Sequence, residues 1–199
     1  MTASASGAVP GVRFRRLLLV VTGAASATGM LEVLRALRDG YPQIEVRTLL
    51  TTSASHFLTL RSVGMQVGAP ALLDAWQPES EEAVHVQLQG WADAAVVYPC
   101  SMHYFARLAL GLTDSPSLLA LHCSDFPIGI APALPPFGDR SPAYQEHWKR
   151  LSDWPNVVLG APVPARSLTT GRMDAWGPAP LDVLLLEMEA RAASGSVGT

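Results

Sequence analysis

Residues 17–21 read LLLVV and run directly into Thr22-Gly23-Ala24-Ala25-Ser26-Ala27-Thr28-Gly29. An apolar run without polar alternation is the pattern of a parallel strand covered on both faces. A helical pattern follows, with Met30, Leu31, Val33, Leu34 and Leu37 on one face and Asp39-Gly40 closing it. The same unit then repeats. Residues 44–50 form a strand, Thr51-Thr52-Ser53 a hydroxyl-rich turn, and a helix begins near Ala54 or Ser55. Further along, a helix over 83–91 leads into an apolar strand over 94–98 that stops at Pro99, and a helix over 104–110 ends at Gly111. Residues 117–121 read as a fourth strand, 156–159 as a short fifth, and 178–193 as a terminal amphipathic helix with Leu181, Leu184, Leu185 and Met188 on one face. Strands alternating with helices predict an α/β protein built on a doubly wound parallel sheet.

The chain has 199 residues, with 14 Lys+Arg against 17 Asp+Glu, 49% hydrophobic and 16% charged residues. No basic run is present to grip nucleic-acid phosphates, so nucleic acid is excluded as the expected partner. The longest apolar runs fall far short of the roughly 20 residues that span a bilayer, and no signal-peptide pattern opens the chain. A soluble, cytoplasmic protein without membrane association is expected. Cys100 and Cys123 are too few for a disulfide framework and suit reduced thiols. Low charge with a positive mean hydropathy of +0.22 points to apolar surface buried between subunits. Residues 1–14 are expected to be a disordered leader, 15–193 a single domain and 194–199 a disordered tail. The fold expected of that domain is Rossmann-like (flavodoxin-like), three layers α/β/α.

In such sheets ligands bind beyond the carboxyl ends of the strands. The small-residue turn after the first strand is neither G-x-G-x-x-G nor G-x-x-x-x-G-K-[ST]. It suits a mononucleotide phosphate, and equally a close helix–strand contact; the hydroxyls of Thr51, Thr52 and Ser53 on the next strand weight the first reading. The proline-rich region 123–164 reads as a long loop with a short helix near 144–151, either a binding lid or a surface insertion. No H-x-x-x-H, C-x-x-C or carboxylate cluster suggests a metal. Trp148, Trp154 and Trp176 read as core or interface residues.

The run from His85 to Asp93 (HVQLQGWAD), the following apolar strand and the Pro99-Cys100-Ser101-Met102-His103-Tyr104 loop resemble the homo-oligomeric flavin-containing cysteine decarboxylases. That family includes phosphopantothenoylcysteine decarboxylases and the peptidyl-cysteine decarboxylases of lanthipeptide, linaridin and thioamide-peptide biosynthesis. The resemblance implies that His85 is the active-site histidine and that Pro99, Cys100, Ser101, Met102 and His103 line the flavin ring. Pro99 and Ser101 keep the identities of the family's P-A-S-A-N-T loop; the others depart from it, His103 standing for Asn. Gly111 and Asp114 match a glycine and an acid at the family's spacing. Thr22, Gly23, Ala24 and Ser26, with Thr51, Thr52 and Ser53, fall on its FMN phosphate and ribityl contacts.

In the substrate clamp, P-x-M-N-x-x-M-W in the family, Pro132 is kept, Leu134 replaces Met, Pro135 replaces Asn, and Arg140 is an alternative donor to the substrate carboxylate. Arg172 lies in a T-G-R-M stretch resembling the element after the substrate loop. The resemblance thus implies FMN as cofactor, with FAD as the larger alternative, and oxidative decarboxylation of the C-terminal cysteine of a ribosomally made precursor peptide to an enethiol, for aminovinyl-cysteine formation. It implies a homotrimer, assembled further into a dodecamer. Phosphopantothenoylcysteine decarboxylation, which relies on a clamp cysteine, flavin prenyl transfer and a non-catalytic flavin-binding subunit are the alternatives.

Overall fold

The computed structural model describes residues 11–77 and 83–195. Along the chain these form β1 (Arg16–Val21), a 3-10 turn (Ala25–Gly29), α1 (Met30–Gly40), β2 (Glu45–Leu50), a second 3-10 turn (Ala54–His56), α2 (Leu60–Val67) and β3 (Leu72–Leu73). There follow α3 (Val84–Trp91), β4 (Ala94–Ser101), α4 (Met102–Ala109), α5 (Pro116–His122), β5 (Ile128–Ala133), α6 (Pro142–Ser152) and β6 (Val157–Leu159). A hairpin of β7 (Val163–Ala165) and β8 (Ala175–Gly177) precedes α7 (Leu181–Gly195).

The main sheet has six strands in the order β3-β2-β1-β4-β5-β6, every neighbouring pair parallel. Strand alternation divides the core. Leu17, Leu19 and Val21 pack with Met30 and Leu34 of α1 and with Leu184 and Met188 of α7. Leu18 and Val20 point the other way, against Leu88 of α3, Phe105 of α4 and Leu121 of α5. Both faces are covered, as the unbroken apolar run of β1 requires, and the result is three layers. The strand order reverses between β1 and β4, which opens a crevice at their carboxyl ends.

Two expectations fail here. Residues 117–121 belong to α5, not to a strand. Pro116 in the first turn and the Ser115 hydroxyl accepting from Leu118 N–H are helix-start signals, and a five-residue stretch with four apolar residues has no decisive periodicity of its own. The fourth long strand is β5, within the region read as a loop. Its sequence, IGIAPA, carries a glycine and a proline that weaken strand propensity. Gly129 leaves room for α7, since a Cβ there would displace the Met188 side chain, and Pro132 pairs opposite Cys100 beyond a register shift in β4.

Residues 11–14, placed in the expected leader, belong to the fold. Val12 and Phe14 are 3% and 7% exposed in the core, and the backbone N–H of Arg13 donates to Glu189 of α7 at 2.9 Å. Residues 1–10 of the expected leader and 196–199 of the expected tail lie outside the described residues.

A buried carboxylate ties the sheet edge to the far helical layer. Asp74, just past β3, is 6% exposed. It accepts from Ser117 N–H at 2.8 Å and from the Ser117 hydroxyl at 2.6 Å, and the Tyr104 hydroxyl lies 2.7 Å from the same Ser117 oxygen. Removing the carboxylate orphans these buried donors at the start of α5. Asp74→Ala is expected to lower unfolding free energy by about 2–4 kcal/mol, with Asp74→Asn recovering part of it through its amide oxygen. Denaturant titration measures this, and an unshifted midpoint for Asp74→Ala would refute the role.

Candidate functional site

The crevice at the switch point is a cleft of about 630 Å³. Four segments line it: the turn after β1, the first residues of α4, the segment leaving β5, and the loop of the β7–β8 hairpin. Its shape depends on how β4 ends. Between Val97 and Cys100 the pairing with β5 slips by one residue, so Val97 and Cys100 both face the α3–α5 side of the core. The slip accommodates Pro99, which cannot donate to a sheet ladder. Thr22, 1% exposed, fastens this bulge to β1. Its N–H and its hydroxyl both donate to the Pro99 carbonyl, at 3.3 and 2.6 Å, and its hydroxyl oxygen accepts from Ser101 N–H at 2.7 Å. Ser101 in turn caps α4, accepting from Tyr104 N–H at 3.3 Å. The first turn of α4 therefore presents unsatisfied backbone N–H groups to the cleft.

Of the residues singled out from sequence, Gly23, Ala24 and Ser26 line one wall of the cleft, while Ser101, Met102 and His103 line its floor. Leu134 and Pro135 line the side beneath the hairpin. The others lie outside it. Thr22 works as the cross-link just described. Thr51 accepts from Ala54 N–H at 3.2 Å, the Thr52 carbonyl accepts from the Ser55 hydroxyl at 2.7 Å, and Ser53 presses on Gly23 so closely that no Cβ fits there. This second turn braces the first. Pro99 and Pro132 are buried in their strands. Cys100 is fully buried in the core, and burial pushes its thiol up, far from the thiolate range. Arg140 stacks over Phe137, its guanidinium carbon 5.7 Å from the ring centre, and Arg172 lies 3.6 Å from Asp174.

His85 sits in the first turn of α3. That helix ends near the amino edge of β1, where Asp93 accepts from Arg16 N–H at 2.8 Å, so it begins at the carboxyl edge that carries the cleft. His85 nevertheless does not line the cleft of its own chain. Its ring meets Trp76 edge-on at 5.8 Å, and its Nδ1 is buried without a partner. Beside the floor, Arg107 donates to Asp114 at 2.6 Å and holds that carboxyl below its usual range.

The hairpin is the part of the site that the sequence reading missed. Trp176 exchanges backbone hydrogen bonds with Leu134, at 2.9 and 3.0 Å, which hangs the hairpin from the end of β5. Arg166, Ser167, Leu168 and Thr169 bring its loop to the cleft. The T-G-R-M stretch marked the loop, but its arginine points elsewhere. On the opposite wall, the Ser26 hydroxyl is buried with no partner. An orphaned hydroxyl in a turn of small residues at a switch point fits a phosphate oxygen, so the residues present fit a phosphorylated flavin. Among the described residues no group of His, Cys, Asp and Glu could hold a metal ion, and no helix is long and apolar enough to cross a membrane.

Fold and cleft together define an α/β protein with a mononucleotide-type site at its switch point. The Flavoprotein family model matches residues 11–178, and the chain belongs to that family. It is 34% identical over 126 residues to the coenzyme A biosynthesis bifunctional protein CoaBC of Haemophilus influenzae, covering 60% of this chain and 30% of that protein. It is 31% identical over 116 residues to the cypemycin cysteine dehydrogenase (decarboxylating) of a Streptomyces species, covering 58% of this chain and 61% of that one. The chain thus spans less than two thirds of either relative. The crystal structure of the cypemycin decarboxylase CypD superposes with a TM-score of 0.76 at 24% identity, over 94% of this chain and 98% of that one, and shares the fold.

Thr22→Val keeps the shape and removes the hydroxyl that joins β1 to β4. It is expected to cost about 1–3 kcal/mol of stability and to weaken flavin binding, whereas Thr22→Ser retains both. Thermal denaturation and flavin fluorescence titration check this; full flavin affinity in Thr22→Val would remove the role in shaping the cleft.

Proposed function

We propose that the chain is an FMN-dependent peptidyl-cysteine decarboxylase acting on a precursor peptide that ends in cysteine. The observation that carries this reading is the cleft itself: an orphaned Ser26 hydroxyl on a small-residue wall for the phosphate, and room bounded by Leu134, Pro135 and the hairpin for a substrate. Gly23, Ala24 and Ser26 would hold the phosphate, with Ser101, Met102 and His103 beside the ring. The two-electron oxidation is the chemistry that FMN supplies when bound. Overall the cysteine gives up two electrons, two protons and carbon dioxide, and an enethiol remains.

This chain's residues position, desolvate and move protons. Trp176 and Leu134 bound the substrate side with apolar surface, and the α4 N-terminus presents donors. His85 takes the thiol proton, a task suited to an imidazole. Because His85 lies outside its own cleft, a neighbouring subunit is required to bring it to the reacting group. Exposed Val86 and Trp76 around it, 54% and 44% exposed, form an apolar rim suited to such a contact. A homotrimer, stacked into a dodecamer, is the proposed assembly, in the cytoplasm.

Phosphopantothenoylcysteine decarboxylation is the second reading, favoured by the likeness to the bifunctional coenzyme A protein. That class relies on a clamp cysteine, and among the described residues lining the cleft there is none; Cys123 caps α5 at the other edge of the sheet.

The test is to reconstitute the protein with FMN and incubate it with peptides that end in cysteine and with phosphopantothenoylcysteine. A mass loss equal to carbon dioxide plus two hydrogens from the peptide alone is the expected result. Carbon dioxide loss from the small substrate alone selects the second reading. His85→Asn is expected to keep its flavin and lose about 10²–10⁴-fold in rate; a native rate would sink the assignment.

A further inference from the structure

Three arginines lie in or near the segments around the substrate side of the cleft, and the structure separates them. Arg140 stacks on Phe137 and Arg172 lies by Asp174, whereas Arg166 lines the cleft. Among the described residues that line it, Arg166 is the one permanent charge, and no carboxylate lies there to neutralise it.

Its position is built. Arg166 directly follows Ala165, which pairs with Ala175 in the hairpin. Beyond it the loop folds back on itself: Ser167 N–H donates to the Arg172 carbonyl at 2.8 Å and Gly171 N–H to the Ser167 carbonyl at 2.9 Å. The Ser167 hydroxyl accepts from Thr169 and Thr170 N–H at 3.3 and 3.1 Å. Gly171, at φ +69°, supplies the left-handed residue this closure needs. One Nη of Arg166 donates to the Gly171 carbonyl, which fixes the guanidinium against the loop and leaves further N–H donors free.

The hairpin hangs from β5, two strands from β1 in the sheet order. Two strand spacings place its anchor about 10 Å from the turn that carries Ser26. The cleft thus has an uncharged phosphate wall of backbone and hydroxyl donors, and a cationic wall on the substrate side. A planar guanidinium matches the two oxygens of a carboxylate.

We infer that Arg166 binds the α-carboxylate of the substrate's C-terminal residue and makes the site specific for a free chain end. The inference rests on the peptidyl-cysteine reading above. The carboxylate departs as neutral carbon dioxide, so the ion pair exists with substrate and not with product. Arg166 is therefore a specificity residue whose loss acts on KM more than on kcat.

The test uses FMN-loaded protein and a pool of heptapeptides with six mixed positions and a fixed C-terminal cysteine, prepared as free acids and as C-terminal amides. Wild type is expected to bind the acids about 10- to 100-fold more tightly than the amides. Arg166→Gln is expected to lose that preference while keeping its flavin, and Arg166→Lys to keep part of it. If Arg166→Gln still prefers acids, or weakens acids and amides alike, the inference falls and the arginine serves only its loop. If Arg166→Gln sheds its flavin, the arginine serves the phosphate and the inference is overturned. If wild type binds neither pool, the peptidyl reading itself fails and takes the inference with it.

Discussion

The site depends on one side chain that never touches the cleft. The Thr22 hydroxyl donates to the Pro99 carbonyl and accepts from Ser101 N–H, so a single oxygen fixes the end of β1 against the bulge of β4. A proline in a central strand would ordinarily interrupt the ladder. Here the interruption is located and satisfied, and the chain leaves the sheet at Ser101 already aimed to start α4. Without that link the wall that carries Ser26 and the floor that carries His103 would be independent loops.

Bracing continues outward by close contact. Gly23 lies so tight against Ser53 that a side chain has no space, which makes the second turn a buttress for the first. On the other side Gly129 lets α7 settle on β5 beside Met188 and Leu184. The wall, the floor and the support of the hairpin are thereby all set by one rigid sheet. A binding site built on strand ends inherits the precision of the sheet, and here only the loop of the hairpin stands apart from it.

Much of this was legible in the sequence where local pattern and burial agree. The LLLVV run, the helical spacing from Met30 to Leu37 and the face of Leu181, Leu184, Leu185 and Met188 each repeat a period that the fold uses directly. The errors fall where tertiary context overrides propensity. SLLAL is as apolar as a buried strand and becomes a helix because Ser115 and Pro116 start one; IGIAPA carries strand breakers and becomes a central strand because α7 and the bulge accept them. For the site, the small-residue turn and the α4 start were readable as strand ends. The roles of Thr51, Thr52 and Cys100 were not, since whether a side chain on a turn or strand faces ligand, backbone or core is decided by twist and register. Arg166 lay hidden for a different reason: the hairpin that carries it owes its place to one pairing with Leu134 from a distant part of the chain.

Burial of Cys100 has a further consequence for redox chemistry. The thiol is sealed in the core and held protonated, while exposed Cys123 follows α5 at the edge of the sheet away from the cleft. Disulfide exchange needs a thiolate with access to its target sulfur. A sulfur-bearing molecule entering this cleft meets neither cysteine of the chain that forms it, so no thiolate of that chain is placed there to exchange with it.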